Sequence, residues 1–121
     1  MAQRAKDLDR AVAFYQDVLG GDLITRFDPP GLAFFGLGDI RLLLDAAAPS
    51  ALLYLRVDDV KAEVERLRAA GVEVDTEPHQ IFVDEDGIFG EVGVAEWMAF
   101  IRDSEGNLVG LASRQAARAP T

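Results

Sequence analysis

The chain has 121 residues and a mass of 13.1 kDa, which is the size of one domain. Hydrophobic residues make up 50% and charged residues 27%, a globular balance that excludes a mostly disordered chain. The absence of cysteine excludes disulfides, thiolate metal sites and a cysteine nucleophile. A net charge of -9 argues against nucleic acid and anionic membrane surfaces as partners.

The start of the chain and its apolar runs bear on where the protein works. The polar start Met1-Ala2-Gln3-Arg4 has no apolar signal region. The longest apolar runs are a few residues, far short of the roughly 20 needed to cross a bilayer. We therefore expect a cytoplasmic protein with no membrane partner.

The first predicted element is a helix that begins after Asp7. Apolar residues recur at helical spacing from Leu8 to Leu19, Asp7 is a typical N-cap, and Gly20 ends the helix. Extended segments are predicted at 22–27, 31–37 and 40–45, because turn-forming Pro, Gly and Asp separate them. The small residues at 46–50 are typical of a linker.

The second half of the chain repeats this order. A strand is predicted at 52–57, a helix from Val60 to Gly71, and extended segments at 72–74, 80–83, 96–102 and 108–112. The two helices correspond at an offset of 52 positions, as Val60 and Leu8 illustrate. We interpret each half as a strand, a helix and three strands. The predicted domain spans 1–114, with half-units at 1–45 and 51–114 and a flexible tail at 115–121.

Two segments resemble a known family. They are KDLDRAVAFY with VLG after it, at 6–15 and 18–20, and WMAFIRDSEGNL at 97–108. Together with the duplication they resemble the vicinal oxygen chelate superfamily of glyoxalase I, bleomycin-resistance proteins, methylmalonyl-CoA epimerase and extradiol dioxygenases. The resemblance covers residues 1 to about 114. It implies an α+β fold in which two tandem βαβββ half-units form a curved mixed sheet with a concave cleft.

The resemblance also implies positions for a divalent metal. In the superfamily's enzymes the first and last strands of each half supply one ligand each, usually histidine, glutamine or glutamate. Carried over residue by residue, three of these positions are Leu43, Leu52 and Gly110, and the fourth would precede Met1. Leucine and glycine side chains carry no donor atom, so we expect neither the usual metal nor any other cofactor.

Strand alternation predicts where a ligand would lie. Three predicted strands, at 40–45, 52–57 and 108–112, each have one apolar face suited to helix packing, and their other faces together suit a ligand concavity. Asp45 is expected to pair with one arginine of the mixed face, which leaves the other to bind an anionic group of the ligand. Trp97 is also predicted to contact the ligand, because an aromatic ring at the pocket mouth would stack on a flat molecule; the alternative is that Trp97 is buried in the core. The predicted ligand-binding residues are Arg41, Leu43, Asp45, Leu52, Tyr54, Arg56, Trp97 and Gly110.

Candidates for catalysis are few. His79 is the only histidine, and Glu77, two residues away on an extended chain, would share its face. Glu96 is a further candidate. The alternative for His79 is a loop or strand-edge residue beside Pro78, because a lone histidine without a partner specifies no chemistry.

These observations lead to one preferred function and two alternatives. The preferred function is a metal-independent small-molecule-binding protein of the glyoxalase/bleomycin-resistance type, which holds its ligand in a hydrophobic groove. The resemblance also implies a homodimer, since such relatives build their grooves from paired subunits. The first alternative is a metal-dependent lyase, isomerase or dioxygenase of the same superfamily, with a site rebuilt around His79, Glu77 or Glu96. The second is a structural or regulatory interaction module.

Overall fold

The computed structural model describes residues 1–47 and 50–117. Its strands form two four-stranded mixed sheets, in the orders β1-β4-β3-β2 and β5-β8-β7-β6. The predicted α+β class and the two tandem βαβββ half-units are thereby confirmed, with one sheet in each half-unit. The elements are β1 (Ala2–Arg4), α1 (Leu8–Ala13), β2 (Asp22–Phe27), β3 (Leu32–Leu37), β4 (Ile40–Asp45), β5 (Leu53–Arg56), α2 (Val60–Ala69), β6 (Val74–Asp84), β7 (Val94–Arg102) and β8 (Leu108–Ala116).

The residues group into two compact units whose boundaries differ from those of the predicted half-units. The first unit is Met1–Leu52 together with the turn Arg102–Asn107, and the second unit is the rest of the chain. The turn between β7 and β8 therefore belongs to the first unit, although it lies within the second predicted half-unit. Of the predicted linker, residues 48 and 49 lie outside the described part of the chain, as do residues 118–121 of the predicted tail.

In the first unit, α1 packs on β3 and β4. The Asp7 side chain caps the helix by accepting the Arg10 N–H at 3.1 Å, as the sequence predicts. A π-helical turn, Phe14–Val18, continues α1. The residues that alternate toward the helix are fully buried and form this unit's core: Ala33, Phe35, Leu42 and Leu44 from the sheet, with Ala11 and Tyr15 from the helical segment.

The second unit repeats this arrangement with α2, which packs on β6 and β8. The Asp59 side chain accepts the Lys61 N–H at 3.0 Å and caps the helix. The buried face of the helix and the alternating residues of the sheet form the core, which includes Leu53, Val60, Val64, Leu67, Ala95, Ala99, Ile101, Val109 and Leu111. No helix in the described part of the chain is long and apolar enough to cross a membrane.

The predicted boundaries of β6 and β8 were wrong. A single strand, β6, runs from Val74 through Pro78 to Asp84, where separate segments were predicted at 72–74 and 80–83. A proline is tolerated there because β6 is the edge strand of its sheet and its pairing with β7 is interrupted by register shifts. In addition, β8 continues to Ala116, so Gln115 and Ala116 belong to a strand and not to the predicted tail.

Candidate functional site

The open face of the first sheet, opposite α1, holds a concavity of about 410 Å³. Five residues line it, and we call it the β4 pocket: Met1, Ala2, Phe34, Arg41 and Leu43. Two of these, Arg41 and Leu43, were predicted as ligand-binding residues from strand alternation. Phe34 lies on the same open face, because its neighbours Ala33 and Phe35 take the buried positions.

Strand register explains why there is space at this point. Ala2 of β1 pairs with Leu43 of β4, and Gly36 of β3 pairs with Arg41. Both partners are small, so the sheet surface is low beside Leu43 on the β1 side and beside Arg41 on the β3 side, whereas the β3 partner of Leu43 is Phe34. The Arg41 guanidinium extends diagonally toward β3, where its Cζ atom lies 5.6 Å from the centre of the Phe34 ring. The result is a shallow apolar pocket with one cationic wall.

Arg41 is exposed and carries a full positive charge beside this pocket. No carboxylate of residues 1–47 or 50–117 lies within 4.0 Å of its guanidinium. Asp45, expected to pair with an arginine, instead accepts the N–H of Ala47 at 2.9 Å, because a carboxylate at the end of a strand readily caps the following turn. The predicted pairing of Asp45 is therefore not what the structure contains.

The open face of the second sheet carries a pair of aromatic rings, Tyr54 and Phe100, which we call the aromatic shelf. Their centroids are 6.1 Å apart and the rings meet edge to face. Tyr54 pairs with Gly110 across β5 and β8. A Cβ atom on Gly110 would lie 2.6 Å from Cδ1 of Tyr54, so the glycine is required for the ring to lie flat on the sheet. Arg56 lies two residues along β5 and is exposed.

The three positions implied for metal ligands do not fit a metal. Leu43 forms a wall of the β4 pocket, Gly110 lies under the aromatic shelf, and Leu52 is an exposed residue before β5. None of them carries a donor atom. Across the described ranges, no three His, Asp or Glu side chains are grouped so as to hold a metal ion.

The predicted catalytic candidates lie on exposed parts of β6 and on β7. The Nδ1 atom of His79 is 2.9 Å from the carbonyl oxygen of Glu77, so the ring folds back on its own strand. The Glu77 carboxylate pairs with Arg68, and the Glu96 carboxylate lies 3.6 Å from Arg114. Each carboxylate is thus engaged by an arginine, and the structure does not join them to His79 as an acid–base pair.

Trp97 is a core residue and not part of the candidate site. Its side chain shares the buried face of β7 with Ala95 and Ala99 and is 6% exposed. The indole N–H donates to the carbonyl oxygen of Ala116 at 3.2 Å, and the Lys61 ammonium lies 4.0 Å from the ring centroid. This is the core alternative of the sequence analysis, and it follows from the alternation of β7.

The second unit contains a buried ion pair between Asp84 and Arg114 that was not predicted from the sequence. The Asp84 carboxylate accepts N–H groups from Ile88 and Phe89 and one from Arg114, each at 2.9 Å. Burial raises the pKa of Asp84, but these hydrogen bonds outweigh it and the net pKa lies below the usual value. The pair holds the loop after β6 and its exposed tip residues, Ile88 and Phe89. The sequence signal was present only as a turn-forming Asp-Glu-Asp-Gly segment.

Comparisons with known proteins agree with this architecture. The family model for the Glyoxalase/Bleomycin resistance protein/Dioxygenase superfamily matches residues 1–111. A lactoylglutathione lyase from Agrobacterium tumefaciens is 26% identical, with a TM-score of 0.68 and coverage of 93% of this chain and 90% of that one. TnmS3, an antibiotic binding protein from Streptomyces sp. CB03234, is 25% identical, with a TM-score of 0.65 and coverage of 97% and 93%.

A third structure, UcmS2, is 23% identical, with a TM-score of 0.71 and coverage of 93% of each chain, and this likeness shows the fold. Among curated proteins, none matches the sequence significantly. The family model spans nearly the whole chain, and the duplicated βαβββ order agrees with it. The chain therefore belongs to the Glyoxalase/Bleomycin resistance protein/Dioxygenase superfamily.

Proposed function

We propose that this protein is a metal-independent small-molecule-binding protein whose ligand lies in the β4 pocket. The observation that carries the proposal is that Leu43, at a position where the superfamily's enzymes place a metal ligand, forms an apolar wall of that pocket. An apolar pocket of about 410 Å³ with one polar anchor is the usual composition of a small-molecule site.

Both a ligand-binding protein and an enzyme are similar to this chain. TnmS3 is described as an antibiotic binding protein, whereas the Agrobacterium protein is a lyase. Their identities, 25% and 26%, do not separate the two possibilities. The residues at the metal positions favour binding, because the side chains of Leu43 and Gly110 supply no ligand atom and, within residues 1–47 and 50–117, His79 contacts a backbone carbonyl and no carboxylate.

Elemental analysis and a neutral fluorescent probe test this proposal together. We expect purified protein to hold no stoichiometric zinc, nickel, iron or manganese, and to bind N-phenyl-1-naphthylamine equally well with and without EDTA. We expect Leu43→Arg, whose long side chain would fill the pocket, to weaken probe binding about tenfold or more, which corresponds to about 1.4 kcal/mol.

The control for this change is Ile40→Arg, which places the same side chain on an exposed residue of β4 outside the pocket lining. It should bind the probe as the wild type does. A stoichiometric metal that survives gel filtration, or probe binding that EDTA abolishes, would contradict metal independence. Equal binding by Leu43→Arg and wild type would contradict the location of the ligand.

We also propose that the protein is a cytoplasmic homodimer, with no nucleic-acid or membrane partner. The net charge of -9 and the absence of cysteine support the location and the excluded partners. The edge strand β2 supports self-association, because Ile24 and Phe27 on it are 58% and 50% exposed. An apolar edge strand is a template for pairing with a second chain.

Sedimentation equilibrium tests the dimer. We expect twice the chain mass for the wild type and a shift toward the monomer mass for Ile24→Lys, since a charge on an edge strand blocks strand pairing. Ile88→Lys, which changes an even more exposed isoleucine in the loop after β6, should leave the dimer intact. A monomeric wild type would refute the assembly, and a dimeric Ile24→Lys would refute this edge as its interface.

A further inference from the structure

We infer that the ligand of the β4 pocket is a planar organic anion, an aromatic ring system carrying one carboxylate or sulfonate that Arg41 binds. This inference rests on the proposed function, because it assumes that the pocket binds a small molecule. It goes further by naming the charge and shape of that molecule.

Arg41, like Arg4 and Arg56, has no carboxylate partner among the described residues, and of these three it alone lines the β4 pocket. In this acidic protein most arginines of the described structure already have carboxylate partners: Arg10 with Glu105, Arg26 with Asp9 and Asp28, Arg66 with Glu63, Arg68 with Glu65 and Glu77, and Arg114 with Asp84 and Glu96. Arg41 has none within residues 1–47 and 50–117. Its guanidinium is therefore available to a carboxylate from outside the chain.

The geometry of Arg41 selects a planar partner. The Cζ atom of Arg41 lies over the Phe34 ring, 5.6 Å from its centre, so the ring lies on one side of the guanidinium and supplies no carboxylate to its N–H groups. A guanidinium matches a carboxylate or sulfonate with two parallel hydrogen bonds, which a lysine could not provide. An anionic group held there would direct the rest of its molecule across the pocket.

The walls and the volume of the pocket define the rest of the ligand. Phe34 and Leu43 are apolar and Ala2 is small, so the surface beside the guanidinium is apolar and presents an aromatic ring to the ligand. A volume of about 410 Å³ suits a molecule of one or two rings. Arg41 is the one cationic side chain among the five lining residues, which suits a single anionic group, because a polyphosphate would need several cationic side chains or a row of backbone N–H groups.

Two probes that share their rings and differ in charge test the inference. We expect the wild type to bind 8-anilinonaphthalene-1-sulfonate about tenfold more tightly than neutral N-phenyl-1-naphthylamine in fluorescence titrations. Arg41→Gln should remove that preference, because it should weaken sulfonate binding about tenfold more than it changes binding of the neutral probe. The matched control is Arg56→Gln, an exposed arginine on the second sheet that lies outside the pocket lining and has the same charge change.

Each outcome separates this inference from the proposed function. If Arg41→Gln binds the sulfonate as the wild type does, while Leu43→Arg weakens both probes, the anion preference is refuted and the pocket stands. An equal loss in Arg41→Gln and Arg56→Gln would mean that net charge, and not contact with Arg41, controls sulfonate binding, which also refutes the inference. If neither probe binds the wild type, the proposed function fails first and the inference with it.

Discussion

Replacing Asp103 by alanine should lower the melting temperature by about 15 °C, from a loss of about 4 kcal/mol in the free energy of unfolding. Asp103 is 6% exposed, and its carboxylate accepts four hydrogen bonds of 2.8–2.9 Å. The donors are the backbone N–H groups of Glu105 and Asn107, the side-chain amide of Asn107 and the hydroxyl of Tyr15. Removing the acceptor leaves several buried donors unpaired, and each costs about 1–3 kcal/mol.

The same substitution should weaken ligand binding, because the turn that Asp103 organises supports the β4 pocket. Asn107 donates from its side chain to the carbonyl oxygen of Arg4 at 2.7 Å, and Arg4 is the last residue of β1. Ala2, on the same strand, lines the pocket. If the turn becomes disordered, β1 loses its hydrogen bond from Asn107, and Ala2 is no longer held in place at the pocket.

Thermal melts followed by circular dichroism measure the loss of stability. Asp86→Ala, the same change in an exposed turn of the second unit, is the control and should melt as the wild type does. Asp103→Asn should fall between wild type and Asp103→Ala, since an amide keeps one acceptor oxygen. A melting temperature for Asp103→Ala that equals that of the wild type would show that the turn does not depend on this carboxylate.

Replacing Glu105 by glutamine should destabilise the protein at pH 7 by about 2 kcal/mol and make its stability less sensitive to acid. The Glu105 carboxylate is buried and binds the Arg10 side chain at 2.7 Å, the Asp7 N–H at 2.6 Å and the Ser104 hydroxyl at 3.0 Å. Burial raises the pKa of Glu105, but these contacts outweigh it and hold the pKa below the ordinary value of 4.5.

The direction of the pH effect follows from that lowered pKa. A carboxyl group whose pKa is lower in the folded chain stabilises the fold fully above its unfolded pKa. The stabilisation is lost as the pH falls below about 4.5 through the folded pKa. The stability gap between wild type and Glu105→Gln should therefore be largest at neutral pH and should shrink in acid.

Thermal melts from neutral pH down to roughly pH 3 test this prediction. Glu85→Gln, the same change at an exposed glutamate, should show no gap at any pH. A gap between wild type and Glu105→Gln that stays constant across the range would mean that the ionised carboxylate of Glu105 contributes nothing to stability.

Local patterns in the sequence were sufficient to predict the secondary structure around the helices. Asp7 caps the first helix as predicted, since capping needs only a side chain and the next few backbone N–H groups, and Asp59 does the same for the second helix. The repeat at an offset of 52 positions predicted the two βαβββ half-units, because it relates neighbouring elements in order. Alternation placed Arg41 and Leu43 on one face of β4, as the structure has them.

Contacts between strands distant in the sequence decided the site. Strand register pairs Ala2 with Leu43 in the first unit and Tyr54 with Gly110 in the second. The small residue lies on the first strand of the first unit but on the last strand of the second unit. The small Ala2 side chain therefore leaves space for the β4 pocket in the first unit. In the second unit, the missing side chain of Gly110 leaves space for the aromatic shelf. Register depends on pairing across the sheet, which periodicity along one strand does not contain.

The sequence by itself determined the family, the fold class and the absence of donor atoms at three expected metal positions, because each depends on residue identity and order. The tertiary structure alone decided that Trp97 is core, that Asp84 is buried against Arg114, and that Arg41 stands without a carboxylate beside Phe34 in the described chain. These facts depend on which groups approach within a few ångströms after the sheets form, and elements far apart in the sequence supply those groups.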